Sequence, residues 1–309
     1  MEFIKPMLKN ADEIRKYLEN NEYRSCDFCV GTLVLWGDYF HYRYAVVNDT
    51  FVIGQEKNGE IAAVTFPVGE ENNIYDAVEM LMKFFSDKGK NACFMNVTKD
   101  IEAKLNEWYP GKFKIIYDRN NADYIYLAEK LSTFSGRKLH SKKNHCNHFI
   151  EEFPDYTFEP ITDENKKYCL RLEDRWNSDI DESKNVNEEQ KLENEADYEE
   201  RAISYALDHM KELGLTGGVL MAREKAVAFT IGEPLTKDTY VVHFEKAVES
   251  VQGAYPMICR EYVSKVIEPQ GYIYVNREED LGVDGLRMSK MSYQPEMLYE
   301  KGISVIDEK

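Results

Sequence analysis

The run from Ser135 to Phe149 carries Arg137, Lys138, Lys142 and Lys143, three histidines (His140, His145, His148) and no acid. On a helix, Lys138, Lys142 and His145 are four and three residues apart and share a face. Such a face suits a phosphate or carboxylate. A solvated face paired with neighbouring acids fits the same residues. The histidine spacing matches no metal site and no acidic ligand is near in sequence, so no metal is expected.

A second group lies in Tyr240-Val-Val-His-Phe-Glu-Lys246. Strand alternation places Val241, His243 and Glu245 on one side and Val242 and Phe244 on the other. A histidine and a carboxylate there can act as general base and orienter for an attacking amine. A cross-strand polar pair is the other reading. The turn that follows, Ser250-Val-Gln-Gly253-Ala-Tyr255-Pro256, enters a helix on Pro256. Gly253 permits close backbone approach, and the helix amides can hold a phosphate. A simple tight turn fits equally. Further on, Asn276 and Asp280 stand at the end of a strand, where ligand sites of α/β sheets often form. Arg287 and Lys290, three residues apart, share a helix face. These interleaved charges fit a polar site or a structural ion network.

The elements that must position these residues follow from periodicity. In the first half, Asp12–Leu18 is an amphipathic helix and Tyr42–Gly54 a hairpin broken at Asn48-Asp49. Then come a strand (Ile61–Val68), a helix (Tyr75–Lys88), a strand (Ala92–Val97), a helix (Lys99–Trp108) and two strands (Lys112–Tyr117, Tyr124–Leu127). In the second half the helices are Arg137–Phe153, Tyr168–Trp176, Tyr198–Leu213, Tyr255–Ile267 and Gly285–Met291. Its strands are Gly218–Arg223, Ala226–Gly232, Tyr240–Lys246, Tyr272–Val275 and Met297–Glu300. Asp179–Asp197 is acidic and polar and is expected to be a long loop. The order strands, helix, strand, helix, strand occurs twice, without a residue-level repeat. Leu131–Gly136 is the expected boundary, giving domains 1–131 and 132–309, the second carrying the site.

The whole chain has 309 residues, 43% hydrophobic, and a formal net charge of −17. That length suits about two domains. The charge argues against a broad nucleic-acid surface, because unspecific affinity comes from Lys and Arg. No apolar run reaches the length of a membrane span, and no signal peptide is read at the amino terminus. The expectation is a cytoplasmic protein. The six cysteines include Cys26-x-x-Cys29, with no second pair at zinc-finger spacing, so buried thiols are expected.

Two segments carry a family resemblance. They are Gly136-Arg137-Lys138-Leu139 through Lys142-Lys143-Asn144, Asn147 and Phe149, and Asn276-x-Glu278-x-Asp280-Leu281-Gly282-x-x-Gly285-Leu286-Arg287-x-x-Lys290-x-x-Tyr293-x-Pro295. The chain resembles bacterial proteins similar to the carboxy-terminal domain of phosphatidylglycerol lysyltransferase. The resemblance implies an α+β fold of two tandem GNAT-like (acyl-CoA N-acyltransferase-like) domains, related to the Fem peptidyltransferases that use aminoacyl-tRNA. It implies an acyl- or aminoacyltransferase, with acyl-CoA or aminoacyl-tRNA as donor and an amine or hydroxyl as acceptor. The tRNA acceptor end is then a possible partner. On this reading His243, Glu245 and Asp280 are catalytic. Lys138, Lys142, Arg287 and Lys290 hold the anionic part of the donor, with Gly253, Tyr255 and Asn276 beside it. The usual acetyltransferase turn reads Gln/Arg-x-x-Gly-x-Gly/Ala. Here Ser250 and Tyr255 stand at its first and last positions, so only Gly253 matches. The alternative is a non-catalytic small-molecule or peptide binding protein on the same fold.

Overall fold

The computed structural model describes residues 1–19, 21–172 and 189–306. They form two compact units. The first comprises Met1–Tyr124, Glu278–Arg287 and Met297–Lys309; the second comprises Ile125–Arg277 and Met288–Glu296. The chain passes between units at Tyr124–Ile125 rather than at 131–132, and two late segments return to the first unit.

In the first unit, β1 (Tyr42–Val47), β2 (Thr50–Lys57), β3 (Glu60–Thr65) and β4 (Phe94–Met95) lie in that order. Asn48 and Asp49 turn the first hairpin with φ of 49° and 56°. These residue types tolerate the left-handed region that such two-residue turns need. Helix Glu71–Ser86 then carries the chain to β4, which runs parallel to β3. It buries Ile74, Ala77, Val78, Leu81 and Phe85, one helical stripe, in a core shared with Val52, Val64 and Phe94. Helix Lys99–Trp108 starts where Thr98 accepts a hydrogen bond from the Ile101 amide. β5 (Phe113–Tyr117) pairs with a late strand, Gly302–Ile306, that the sequence reading omits. The short helix Val30–Leu35 was also unforeseen. It is apolar almost all round and buried, so no amphipathic period marks it.

The second unit repeats the plan. Its strands are β6 (Asp123–Leu127, from Ile125 on), β7 (Thr157–Pro160), β8 (Thr216–Ala222), β9 (Lys225–Pro234), β10 (Thr239–Ala247) and β11 (Tyr274–Asn276). They stand in the order β6-β11-β10-β9-β8-β7. β7 to β10 form an antiparallel meander; helix Ala254–Tyr262 and a π-helical continuation, Val263–Ile267, lead to β11, parallel to β10. Antiparallel strands, a helix and a parallel strand therefore occur in both units. The fold is α+β, with a mixed sheet flanked by helices in each unit.

The acidic stretch expected to be a loop falls partly outside the described residues. From Glu189 it is helical, in helix Glu189–Asp208. Its Glu, Gln, Lys, Leu and Ala residues are good helix formers, and low hydrophobicity hid them. The helix expected over Tyr168–Trp176 is described only to Leu172.

Candidate active site in the second unit

β10 and β11 pair only from Thr239↔Tyr274 to Val241↔Asn276, while β10 runs on to Ala247. The two strands thus part at their carboxyl ends, where parallel sheets usually offer a binding crevice. Arg277 is the first residue after β11. Its Nη2 donates to Glu245 Oε1 on β10 at 2.6 Å. The two side chains are 12% and 9% exposed, so the pair is nearly desolvated yet retains some access.

Aromatic rings surround the pair. The Arg277 guanidinium lies over Tyr293 at 4.5 Å and over Tyr126 at 5.7 Å. Lys142 Nζ lies over the same Tyr293 ring at 3.8 Å. Both tyrosines are buried, and the Tyr126 hydroxyl donates to the Lys290 carbonyl at 2.8 Å. Burial pushes the Glu245 carboxyl up, although Arg277, Lys142 and Lys290 pull against it. Burial lowers the Lys142 ammonium, and the Arg277 charge lowers it further. Burial also disfavours the Arg277 charge, but Glu245 more than offsets this. Glu245 therefore stands among three cations.

The other expected residues have varied fates. His243 sits at a register shift between Val242 and Phe244. The shift breaks the two-residue alternation, and His243 and Glu245 acquire separate partners. His243 Nε2 lies 3.0 Å from Glu233 Oε1 on β9, with the imidazole fully buried. Asn276 is buried in β11, Tyr255 is half-buried and Lys138 is exposed. Gly253 has φ of +83° at the start of helix Ala254–Tyr262. A Cβ there would lie 2.4 Å from the His145 carbonyl oxygen, so this glycine serves close packing against helix His140–Glu152. Lys142 projects from that helix into the aromatic group, whereas His140, His145 and His148 are exposed.

Asp280 and Arg287 belong to the first unit. Arg287 binds the Asp280 carboxylate through Nε at 2.9 Å and Nη2 at 2.8 Å. Arg119, the Tyr124 hydroxyl and the Gly282 amide also donate to it. Hydrogen bonds from Arg287 lead the causes that hold this carboxyl well below the usual range. The carboxylate is spent on internal donors, and its fit is to holding Glu278–Arg287 in shape.

The first unit also holds an ionic cluster that sequence reading missed. Lys301 Nζ lies 2.9 Å from Asp27 Oδ2 and 2.8 Å from Asp123 Oδ1, and also binds Glu279. Cys26 joins it, its thiol donating to Asp123, while Tyr42 and Ser25 donate to Asp27. Burial raises Asp123 to about 7 against the pull of Lys301. For Asp27, Lys301 and the hydrogen bonds outweigh burial and lower it. Cys26, Asp27 and Glu279 bring ligand atoms within 4.8 Å of one another, and the Lys301 ammonium pairs with both carboxylates. Cys29 donates to the Cys26 carbonyl, and the two thiols form no disulfide.

Sequence reading also missed Arg277, Tyr126 and Glu233. Arg277 had one usable signal: a base directly after a short strand, beside a residue already singled out.

The family model described as phosphatidylglycerol lysyltransferase, C-terminal, matches residues 19–301, and the chain belongs to that family. A solved protein of unknown function from Bacteroides thetaiotaomicron is 36% identical, over 99% of this chain and 100% of its own, with a TM-score of 0.87. The structure of L-PGS from Bacillus licheniformis shares the fold at 15% identity, covering 99% of this chain and 94% of that one, with a TM-score of 0.65. An uncharacterised protein of Mycoplasmoides gallisepticum (MYCGA3080) is 23% identical over 201 residues, 63% of this chain. That match spans only 60% of the relative's own length. No helix among the described residues is long and apolar enough to cross a membrane.

Proposed function

We propose that this chain transfers an acyl or aminoacyl group from an activated donor to an amine or hydroxyl acceptor, with Glu245 as proton acceptor. The observation that carries the reading is the nearly buried Glu245–Arg277 pair where β10 and β11 part, in a chain of a lysyltransferase family. The raised carboxyl is a better base than an exposed one, and Arg277 positions it. The acceptor's N–H or O–H gives its proton to Glu245 as its nitrogen or oxygen bonds to the acyl carbon. The donor's C–O or C–S bond then breaks, and the leaving group takes a proton. Backbone amides of Tyr240–Lys246 polarise the carbonyl, an effect of about 2.7–4 kcal/mol per donor.

The packing of Gly253 on helix His140–Glu152 favours an aminoacyl ester over a coenzyme A thioester, since the turn is committed to the protein's own backbone. Lys138, exposed at the head of that helix, suits a phosphate of a tRNA acceptor end. His243 supports β10 through Glu233, and Asp280 with Arg287 shapes its own segment.

The test is incubation of the purified protein with labelled aminoacyl-tRNA and acyl-CoA panels and simple amine and alcohol acceptors. Transfer from an aminoacyl-tRNA, reduced about 10²–10⁴-fold in Glu245→Gln, is the expected result. No transfer from any donor would reject it. If aminoacyl nucleotides still stabilise that inactive protein, by about 2.7 kcal/mol at 100 times Kd, it is a binding module.

A further inference from the structure

Acyl transfer from an ester takes a proton from the acceptor and gives one to the leaving oxygen. Glu245 serves the first step. The second needs a general acid, because the alkoxide of a sugar hydroxyl leaves poorly unless it is protonated as the C–O bond breaks. Lys142 is placed for that task. It projects from helix His140–Glu152 with its Nζ 3.8 Å from the centre of the Tyr293 ring. The Arg277 guanidinium lies over the same ring at 4.5 Å and donates to Glu245 at 2.6 Å. Base and cation are thus gathered on one ring, and all four residues belong to the second unit. Lys142 is half-buried, so its ammonium is within reach of a substrate. A π-face holds an ammonium in place without accepting its proton into a salt bridge, which would favour the charged form and weaken the acid. The surrounding groups strengthen it instead. Burial and then the Arg277 charge lower Lys142, while Cys259, Glu245 and Cys146 pull the other way and do not cancel them. Burial meanwhile raises Glu245. A base that is raised and an acid that is lowered both move towards neutral pH, where proton transfer is most efficient.

We infer that Lys142 is the general acid of the transfer, giving its Nζ proton to the leaving oxygen as the acyl C–O bond breaks. This rests on the transfer reading above. The acceptor's proton passes to Glu245 while its nitrogen or oxygen bonds to the acyl carbon. The electron pair of the broken C–O bond then takes the Lys142 proton. Lys142 is left as a neutral amine and Glu245 as a carboxylic acid, and water returns the proton from one to the other between turnovers. An aryl ester departs as a stable anion and makes little use of the acid.

The experiment measures transfer by the full chain at saturating donor. The donors are each aminoacyl-tRNA of the panel above and the nitrophenyl ester of the same amino acid. Lys142→Met should slow transfer from the tRNA ester about 10²–10⁴-fold with KM nearly unchanged, and transfer from the aryl ester at least about tenfold less. Lys142→Arg keeps the charge but holds its proton too firmly, so it should stay slow on the tRNA ester. In the wild type the rate should fall on the alkaline side below the roughly 10.4 of a free lysine, because a lowered acid loses its proton earlier, and this limb should be absent in Lys142→Arg. Circular dichroism melting checks that both variants fold, and a half-buried position on a helix surface suits either side chain. Equal losses on the two donors, an unchanged rate in Lys142→Met or full activity in Lys142→Arg overturns the inference. Transfer that depends on Glu245 and not on Lys142 sinks this inference alone. Transfer that depends on Lys142 and not on Glu245 spares it and sinks the role of Glu245. No transfer by the wild type from any donor sinks both.

Discussion

The two units bury ionic clusters of opposite balance. In the first, Asp27, Asp123 and Glu279 surround a single cation, Lys301. In the second, Arg277, Lys142 and Lys290 act on the Glu245 carboxylate. The first is closed. Lys301 binds three carboxylates, and Asp27 and Asp123 are met by Ser25, Tyr42 and Cys26 as well. In the second, Arg277 Nη1 lacks an acceptor among the described residues, and Lys142 rests on a ring. A buried network that satisfies its own groups holds a fold together. One that leaves strong donors wanting is a candidate for a ligand.

The widest separation between the clusters should come from Glu245→Gln. Transfer should fall about 10²–10⁴-fold, a barrier increase of roughly 3–5 kcal/mol, while thermal melting moves much less. A large loss of stability with transfer intact would make the second cluster as structural as the first. Lys301→Met should do the opposite. It strands two buried carboxylates, Asp27 and Asp123, and a partly buried one, Glu279, and should cost about 3–5 kcal/mol, read as a fall in the denaturant midpoint. Retained stability would show that the cluster is neutralised by protons rather than by Lys301.

The smallest effect is pH dependence. Burial raises Asp123 to about 7. Its folded form therefore holds a proton that the unfolded chain has already released, and stability falls as pH rises through that value. Asp27 is lowered and Lys301 raised, so their contributions stay constant across this window. Between about pH 5.5 and pH 8 the wild type should lose about 2 kcal/mol, or roughly 4–8 °C in Tm, and Asp123→Asn should lose less. A wild type more stable at the higher pH would mean that Lys301 keeps Asp123 ionised throughout.

The elements were legible where one physical pattern dominated. The stripe Ala77, Leu81 and Phe85, the Asn48-Asp49 hairpin and the three meander strands of the second unit all follow local periodicity or turn chemistry. Helix Val30–Leu35 was hidden because it is buried on most sides, and helix Glu189–Asp208 because its start is polar. Of the candidate site, Glu245, Lys142 and Lys290 were found from residue type and spacing. His243 was expected beside Glu245, but the register shift after Val242 gave it Glu233. Asp280 was expected to be catalytic, and its oxygens went to Arg287, Arg119, Tyr124 and Gly282.

The amino-acid sequence alone determined the duplicated order of strands and helices, the family segments and a cationic helix in an acidic chain. These are local or additive properties, set by side chains within a few turns of one another. Only the tertiary structure decided which charges meet. Arg277 reaches Glu245 across 32 residues, and Lys301 reaches Asp27 across 274. Partners that distant are chosen by the chain's path. What makes them matter is burial, which turns a charge from a solvated surface feature into a group that must find its counterpart.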